Sequence, residues 1–200
     1  HMRKDKPYSV AGAKAIRKAV LLTVVVAFAV VIGLIVLQSK GVLPDSPLGA
    51  IAYFNFNDTW GNSRGRIWSF AVRVFRQESI CHKFFGIGSD CLSSYVREYH
   101  NAERQLLWGD LILTNAHNEW LTMLINVGIF GAIAYIGIFA TLVKRCLKSW
   151  RTNPLLVGIA ASAVSYMAYN FFCYQTICCT PFIFMLLGIG EYVLRINKES

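Results

Sequence analysis

Residues Ala19–Leu37, AVLLTVVVAFAVVIGLIVL, form an apolar run without a single charge. At about 1.5 Å per residue a helix of this run reaches roughly 28 Å, close to the ~30 Å hydrocarbon core of a bilayer. The run exceeds the ~7–15 apolar residues of a secretory leader, and no small-x-small cleavage pattern with a workable exit follows it. A membrane-spanning helix is therefore expected. The leading His1-Met2 pair reads as a cloning remnant.

Three more apolar blocks follow: Leu121–Val143, Pro154–Phe172 and Ile177–Leu194. The third block of the chain opens with Asn153-Pro154, a favourable helix start, and the hairpin Cys173–Thr176 joins it to the fourth. Hydrophobic residues make up 55% of the chain and charged residues 16%, against about 25% charged in soluble domains. The sequence thus predicts an all-α integral membrane protein with four transmembrane helices.

The net charge of +9 would suit nucleic acid if it were gathered on one surface. It is instead distributed between the apolar blocks. Arg3, Lys4, Lys6, Lys14, Arg17 and Lys18 precede the first, Lys144, Arg145, Lys148 and Arg151 separate the second from the third, and Arg195 and Lys198 follow the last. This is the pattern of orientation signals, and it excludes a nucleic-acid role. Putting all three basic segments in the cytoplasm requires four crossings with both termini inside. The expected division is a cytoplasmic N-terminus (1–18), spans at 19–37, 121–143, 154–172 and 177–194, an external loop at 38–120, a cytoplasmic loop at 144–153, an external hairpin at 173–176 and a cytoplasmic tail at 195–200. The arginines of the long loop do not contradict this, since loops beyond about 60 residues largely escape the rule.

Within that loop, turn-forming GVLPDSPLG and NFNDTWGNS come first. An amphipathic helix is predicted next, capped by Asn62 or Ser63. Ile67, Phe70, Ala71, Val74 and Phe75 recur on one face, with Arg66, Arg73 and Arg76 opposite. Such a helix suits a bilayer surface or a neighbouring protein groove. Phe84–Asp90, FFGIGSD, reads as a glycine-punctuated turn, Ser93–Arg104 as a polar helical stretch, and Leu106–Leu113 as a short apolar piece packed inside the loop. Gly128 with Ala132, and Gly158 with Ser162, would let helices approach closely. Tyr166, Tyr169, Phe171 and Phe172 read as an aromatic belt.

The six cysteines follow no metal-ligand spacing, and no metal or other cofactor is expected. A Cys81–Cys91 disulfide is allowed if both lie outside, whereas Cys146 falls in a cytoplasmic basic segment.

Two groups of residues can carry chemistry. Arg64 and Arg66 stand at a helix start, where free N–H groups favour anions and guanidinium forks grip phosphate at about 1.5–3 kcal/mol per bond; attraction to lipid headgroups at ~1 kcal/mol per charge is the plainer alternative. His117 lies where the polar run TNAHNE passes into the second apolar block. An imidazole is mostly neutral at pH 7 and can take a proton from an attacking hydroxyl, with Asn118 or Glu119 to orient it; a helix-capping histidine is the alternative. His82 and His100 adjoin no spanning helix. Within the apolar blocks, Asn126, Asn170 and Glu191 need polar partners, a neighbouring helix for Asn126 and Arg195 or interfacial water for Glu191.

Three pieces in order, SRGRIW (Ser63–Trp68), FGIGSD (Phe85–Asp90) and AHNEWLTMLINVGIFG (Ala116–Gly131), resemble the O-antigen ligase and polymerase-like family of membrane glycosyltransferases. The resemblance implies a fold like the C-terminal part of the GT-C type and a metal-independent reaction. A glycan would pass from an undecaprenyl-diphosphate carrier to a lipid or glycan acceptor at the outer face of the bacterial cytoplasmic membrane. It implies His117 as the catalytic base, Arg64 and Arg66 as ligands of the diphosphate, Asn118 as a residue holding substrate and junction, and Trp68 as packing for the arginine helix. Family members carry many more spanning helices, so a C-terminal portion is expected here. A non-catalytic assembly or export component, its arginines bound to headgroups, glycan or a partner, is the competing function; a sensor fits less well, since no output domain follows Ser200.

Overall fold

The computed structural model describes residues 10–43, 47–149 and 153–199. Arg3, Lys4, Lys6 and Arg151 of the expected orientation signals lie outside them. Among the described residues every regular element is a helix: α1 (Val10–Ser39), two short 3-10 turns (Pro47–Ala50 and Ala52–Phe54), α2 (Trp60–Gln77), α3 (Ile80–Phe85), α4 (Leu92–Tyr99), α5 (Asn101–Trp108), α6 (Glu119–Lys148), α7 (Leu155–Tyr169) and α8 (Thr180–Glu199). The chain divides into two compact units, His1–Gly65 and Arg66–Ser200, with the boundary inside α2.

In the first unit, α1 displays Leu22, Val25, Val26, Phe28, Val30 and Val31 to its surroundings, each more than two-fifths exposed. Apolar side chains exposed around a helix call for an apolar environment. The loop after α1 is tied by polar contacts: the Phe56 amide donates to Ser39 Oγ (2.7 Å), and Trp60 Nε1 donates to the Tyr53 carbonyl (2.8 Å).

The second unit holds two apolar cores. Ile67, Phe70, Ala71 and Val74 of α2 meet Leu92 and Val96 of α4, Leu113, Ala116 and Ile125. This is the apolar face read from the α2 periodicity. Farther along α6, Tyr135, Phe139, Leu142 and Cys146 pack with Leu156, Ile159, Ala160 and Ala163 of α7 and Ile183 and Leu187 of α8. Tyr166 belongs to this second core, its hydroxyl 2.8 Å from Thr180 Oγ1. Its place is thus in the bundle, not in an aromatic belt.

α6 serves both cores because it is broken between them. Gly128 sits at φ 69°, ψ −174° inside the 30-residue element, where the sequence predicts a continuous span. α6 is the one helix among the described residues both long and apolar enough to cross a membrane. α7, with 15 residues, extends only about 22 Å. It ends at Tyr169, short of the predicted Phe172, because Asn170–Phe172 turn away. At the far end of α6, Glu191 of α8 accepts from Arg145 and from Arg195 Nε (2.9 Å), the second being the partner expected for it. The cysteines are free thiols, Cys81 and Cys91 included.

Some short segments depart from expectation. Leu107 and Trp108 pack against the α2 core and Leu113 is buried in it, whereas Leu106, Leu111 and Ile112 are exposed, so the 106–113 stretch packs inside the loop only in part. Arg104 accounts for this: its buried guanidinium donates to the Gly109 and Leu111 carbonyls (2.9 and 2.6 Å) and holds that backbone inward. Gly158 has nothing within 4 Å of where a Cβ would stand, so no helix approaches there.

Candidate functional site

The junction before α6 is organised by short polar side chains. Asn118, in extended conformation, is the N-cap, and its Oδ1 accepts the Leu121 amide at 3.1 Å. A cap of this kind contributes about 1 kcal/mol. Its carbonyl accepts from the Thr122 hydroxyl (3.0 Å), and the Ala116 amide donates to that same hydroxyl oxygen (3.2 Å). The N-cap of α6 is thus Asn118 and not His117.

His117 itself stands at φ 47°, a left-handed conformation uncommon outside glycine, asparagine and aspartate. Its amide donates to Asn115 Oδ1 (2.9 Å), and its ring meets Tyr174 edge to face at 5.4 Å. Non-glycine residues held in such regions cost about 1–3 kcal/mol and persist where the surroundings over-determine them. Here the surroundings are the cap on one side and the 170–175 turn on the other.

That turn is joined to the start of α6 twice more. The Glu119 amide donates to the Asn170 carbonyl (2.8 Å), and the buried Glu119 carboxylate accepts the Gln175 amide (3.1 Å). The FGIGSD turn reaches the same region through the α6 break. Distortion at Gly128 frees two helix carbonyls, and the amides of Ile87 and Gly88 donate to Ile125 O (3.0 Å) and Asn126 O (2.9 Å). The backbones meet so closely that a Cβ on Gly86 would overlap Asn126 O, and one on Gly128 would overlap Phe84. This is why those two positions hold glycine. The close approach expected at Gly128 is real, and the partner is the last turn of α3 together with the glycine that follows it.

These contacts enclose a cavity of about 290 Å³ beside the junction, walled by Asp90, Asn115, Glu119, Asn126, Tyr174 and Gln175 among others. A larger space of about 510 Å³ lies at the opposite end of α6, next to Arg145 and Glu191. It is a gap between helix faces with no tie to the junction.

Among the four residues singled out in sequence, Arg64 belongs to the first unit, and Arg66, His117 and Asn118 to the second. Arg64 Nη1 donates to the Gly61 carbonyl (2.7 Å). The residues before it, Gly61, Asn62 and Ser63, all have positive φ (58°, 61° and 66°), so the predicted simple cap is replaced by a left-handed turn. Gly65 is fixed as glycine by the Asn57 carbonyl, which a Cβ would strike. Arg66 Nη1 donates to the Leu107 carbonyl (3.1 Å), while Trp68 lies against Phe171 and Phe172. Arg73 pairs with Glu103 (2.7 Å) and is committed within the protein.

His82 and His100, set aside in the sequence, converge on buried Glu78. Its carboxylate lies 2.9 Å from His82 Nδ1 and 4.0 Å from His100 Nε2, and it accepts from the Tyr95 hydroxyl at 2.7 Å. Burial, with that bond to the carboxylate, pushes the Tyr95 phenol up to about 12. The cavity residues Asp90 and Tyr174 were missed as site residues, while Asn126, expected to bond a neighbouring helix, turns its side chain to the cavity and its Oδ1 has no hydrogen-bond partner. Asp90 is marked locally only by its positive φ (56°), which is invisible in sequence.

No curated protein and no solved structure matches the chain. The sequence pattern described as O-antigen ligase does match, over residues 7–136, a span that contains the arginine helix start, the Gly-x-Gly turn and the His-Asn junction. The chain belongs to the O-antigen ligase family.

Proposed function

We propose that this chain carries out, or supplies part of the site for, transfer of a lipid-diphosphate-linked glycan at the outer face of the bacterial cytoplasmic membrane. Family membership implies glycan transfer at a membrane, from a lipid-linked donor. In the proposed reaction, His117 accepts the proton of an acceptor hydroxyl as that oxygen attacks the anomeric carbon. The bond from that carbon to the carrier diphosphate breaks, and Arg64 and Arg66 neutralise the departing charge. Asn118 holds the junction so that the imidazole keeps one orientation. Four crossings with both termini in the cytoplasm, in a fold akin to part of the GT-C type, would put these groups on the outer side.

The observation that carries the reading is His117: a histidine in left-handed backbone, beside a polar cavity, with capping taken over by the next residue. The test is surface glycan assembly in cells whose own copy is deleted and replaced by His117→Ala or Arg64→Ala. Glycan should disappear at unchanged protein level in both; full assembly in either variant sinks the assignment of that residue. A headgroup anchor, by contrast, would weaken step by step as arginines are removed.

A further inference from the structure

Asn126 and Asn170 are buried amides of the second unit with side-chain atoms that lack a hydrogen-bond partner, and of the two Asn126 faces the junction cavity. Its side chain lies on the wall of the 290 Å³ cavity, the residue is only 7% exposed, and its Oδ1 is buried with no hydrogen-bond partner. A buried amide oxygen without a partner costs about 1–3 kcal/mol, a cost that a hydroxyl entering the cavity would remove. The Gly128 break places it there, because Asn126 stands on the last turn before the helix is interrupted.

The wall chemistry selects the visitor. Asp90 and Glu119 contribute carboxylates, Asn115 and Gln175 carboxamides, and among the described residues no lysine or arginine lines the space. A diphosphate would be repelled. A polyhydroxylated, uncharged ring offers the O–H donors that these acceptors need and an apolar face for Tyr174. The volume is at the small end of ligand pockets, about 300–1,000 Å³, and suits one ring. Asn115 and Tyr174 also contact His117, so a ring bound here stands beside the imidazole.

We infer that the cavity beneath the His117 junction binds one uncharged sugar residue of the glycan acceptor, with Asn126 Oδ1 as its buried hydrogen-bond acceptor. The acceptor role rests on the proposed transfer reaction; sugar binding does not. The full chain in lipid nanodiscs is examined by saturation-transfer NMR with N-acetylglucosamine and, separately, inorganic pyrophosphate as probes. Asn126→Leu, which replaces the amide by an apolar group of similar size, should fold with an unchanged or raised Tm and weaken the sugar signal about tenfold. Pyrophosphate binding should be unaffected. Asp90→Asn, a charge change on an exposed residue, gives a second variant and should also weaken the sugar signal. Sugar binding unaltered in both variants, or displaced by pyrophosphate in the unsubstituted chain, overturns the proposal. In a transfer assay, excess acceptor should restore the rate of Asn126→Leu; restoration by excess donor instead overturns the acceptor assignment. If the chain binds sugar through Asn126 yet transfers nothing, the site stands and the transfer reading fails.

Discussion

The behaviour of single residues at the junction follows from which groups are already engaged. Asn118 spends its side-chain oxygen on the Leu121 amide, so Asn118→Ala should cost about 1 kcal/mol, read as a lower Tm, while Asn118→Asp should keep the cap. Equal stability of all three chains would show that the cap contributes nothing. Tyr95 supplies a pH-dependent case. Its phenol is held protonated to about 12 in the folded chain, whereas an unfolded tyrosine ionises near 10. The stabilisation is complete below about pH 10 and is lost as pH rises toward 12. Tyr95→Phe should abolish that alkaline loss while lowering neutral stability by about 1 kcal/mol. Denaturant titrations at pH 8 and pH 11 measure both effects.

At the scale of elements, α6 is two helices joined through Gly128, and the FGIGSD turn is seated in the break. Gly86→Ala and Gly128→Ala each add a methyl group where backbone atoms already meet, at positive φ. Each should cost about 2–4 kcal/mol, from overpacking and left-handed strain together. Gly158→Ala adds the same methyl to open helix surface and should be neutral or stabilising by up to about 1 kcal/mol. Chemical denaturation of the three variants in one detergent makes the comparison; comparable losses at all three glycines would refute the seated-turn account. Helical discontinuity at membrane depth is tolerated where the freed carbonyls find protein partners or line a cavity. The carbonyls of Ile125 and Asn126 have protein partners, and Asn126 also lines a cavity.

For the whole molecule the consequences concern the bilayer. If the 38–120 loop is outside, a chain retaining Cys81 as its only cysteine should react in intact cells with a membrane-impermeant maleimide, since that residue is exposed. A cysteine-free chain carrying Lys148→Cys should react only after the membrane is opened. The reverse pattern would invert the proposed topology.

The sequence by itself determined the helical character, the membrane setting and the family, because long uncharged apolar runs and the order of three short motifs are local properties of the chain. It also determined the buried face of α2, where a 3.6-residue period leaves Phe70 and Val74 inward whatever they meet. Only the tertiary structure decided that Gly128 breaks α6, since nothing in INVGIFG distinguishes a helix-packing glycine from one that admits the backbone of Gly86. The convergence of His82, Tyr95 and His100 on Glu78, and of Asp90, Asn126 and Tyr174 on one cavity, was likewise beyond the sequence. Asp90 and Tyr174 lie 84 positions apart, and what brings them to Asn126 is the pairing of two freed helix carbonyls with two turn amides on one side and the bonds of Glu119 to Asn170 and Gln175 on the other, long-range contacts that no local pattern encodes.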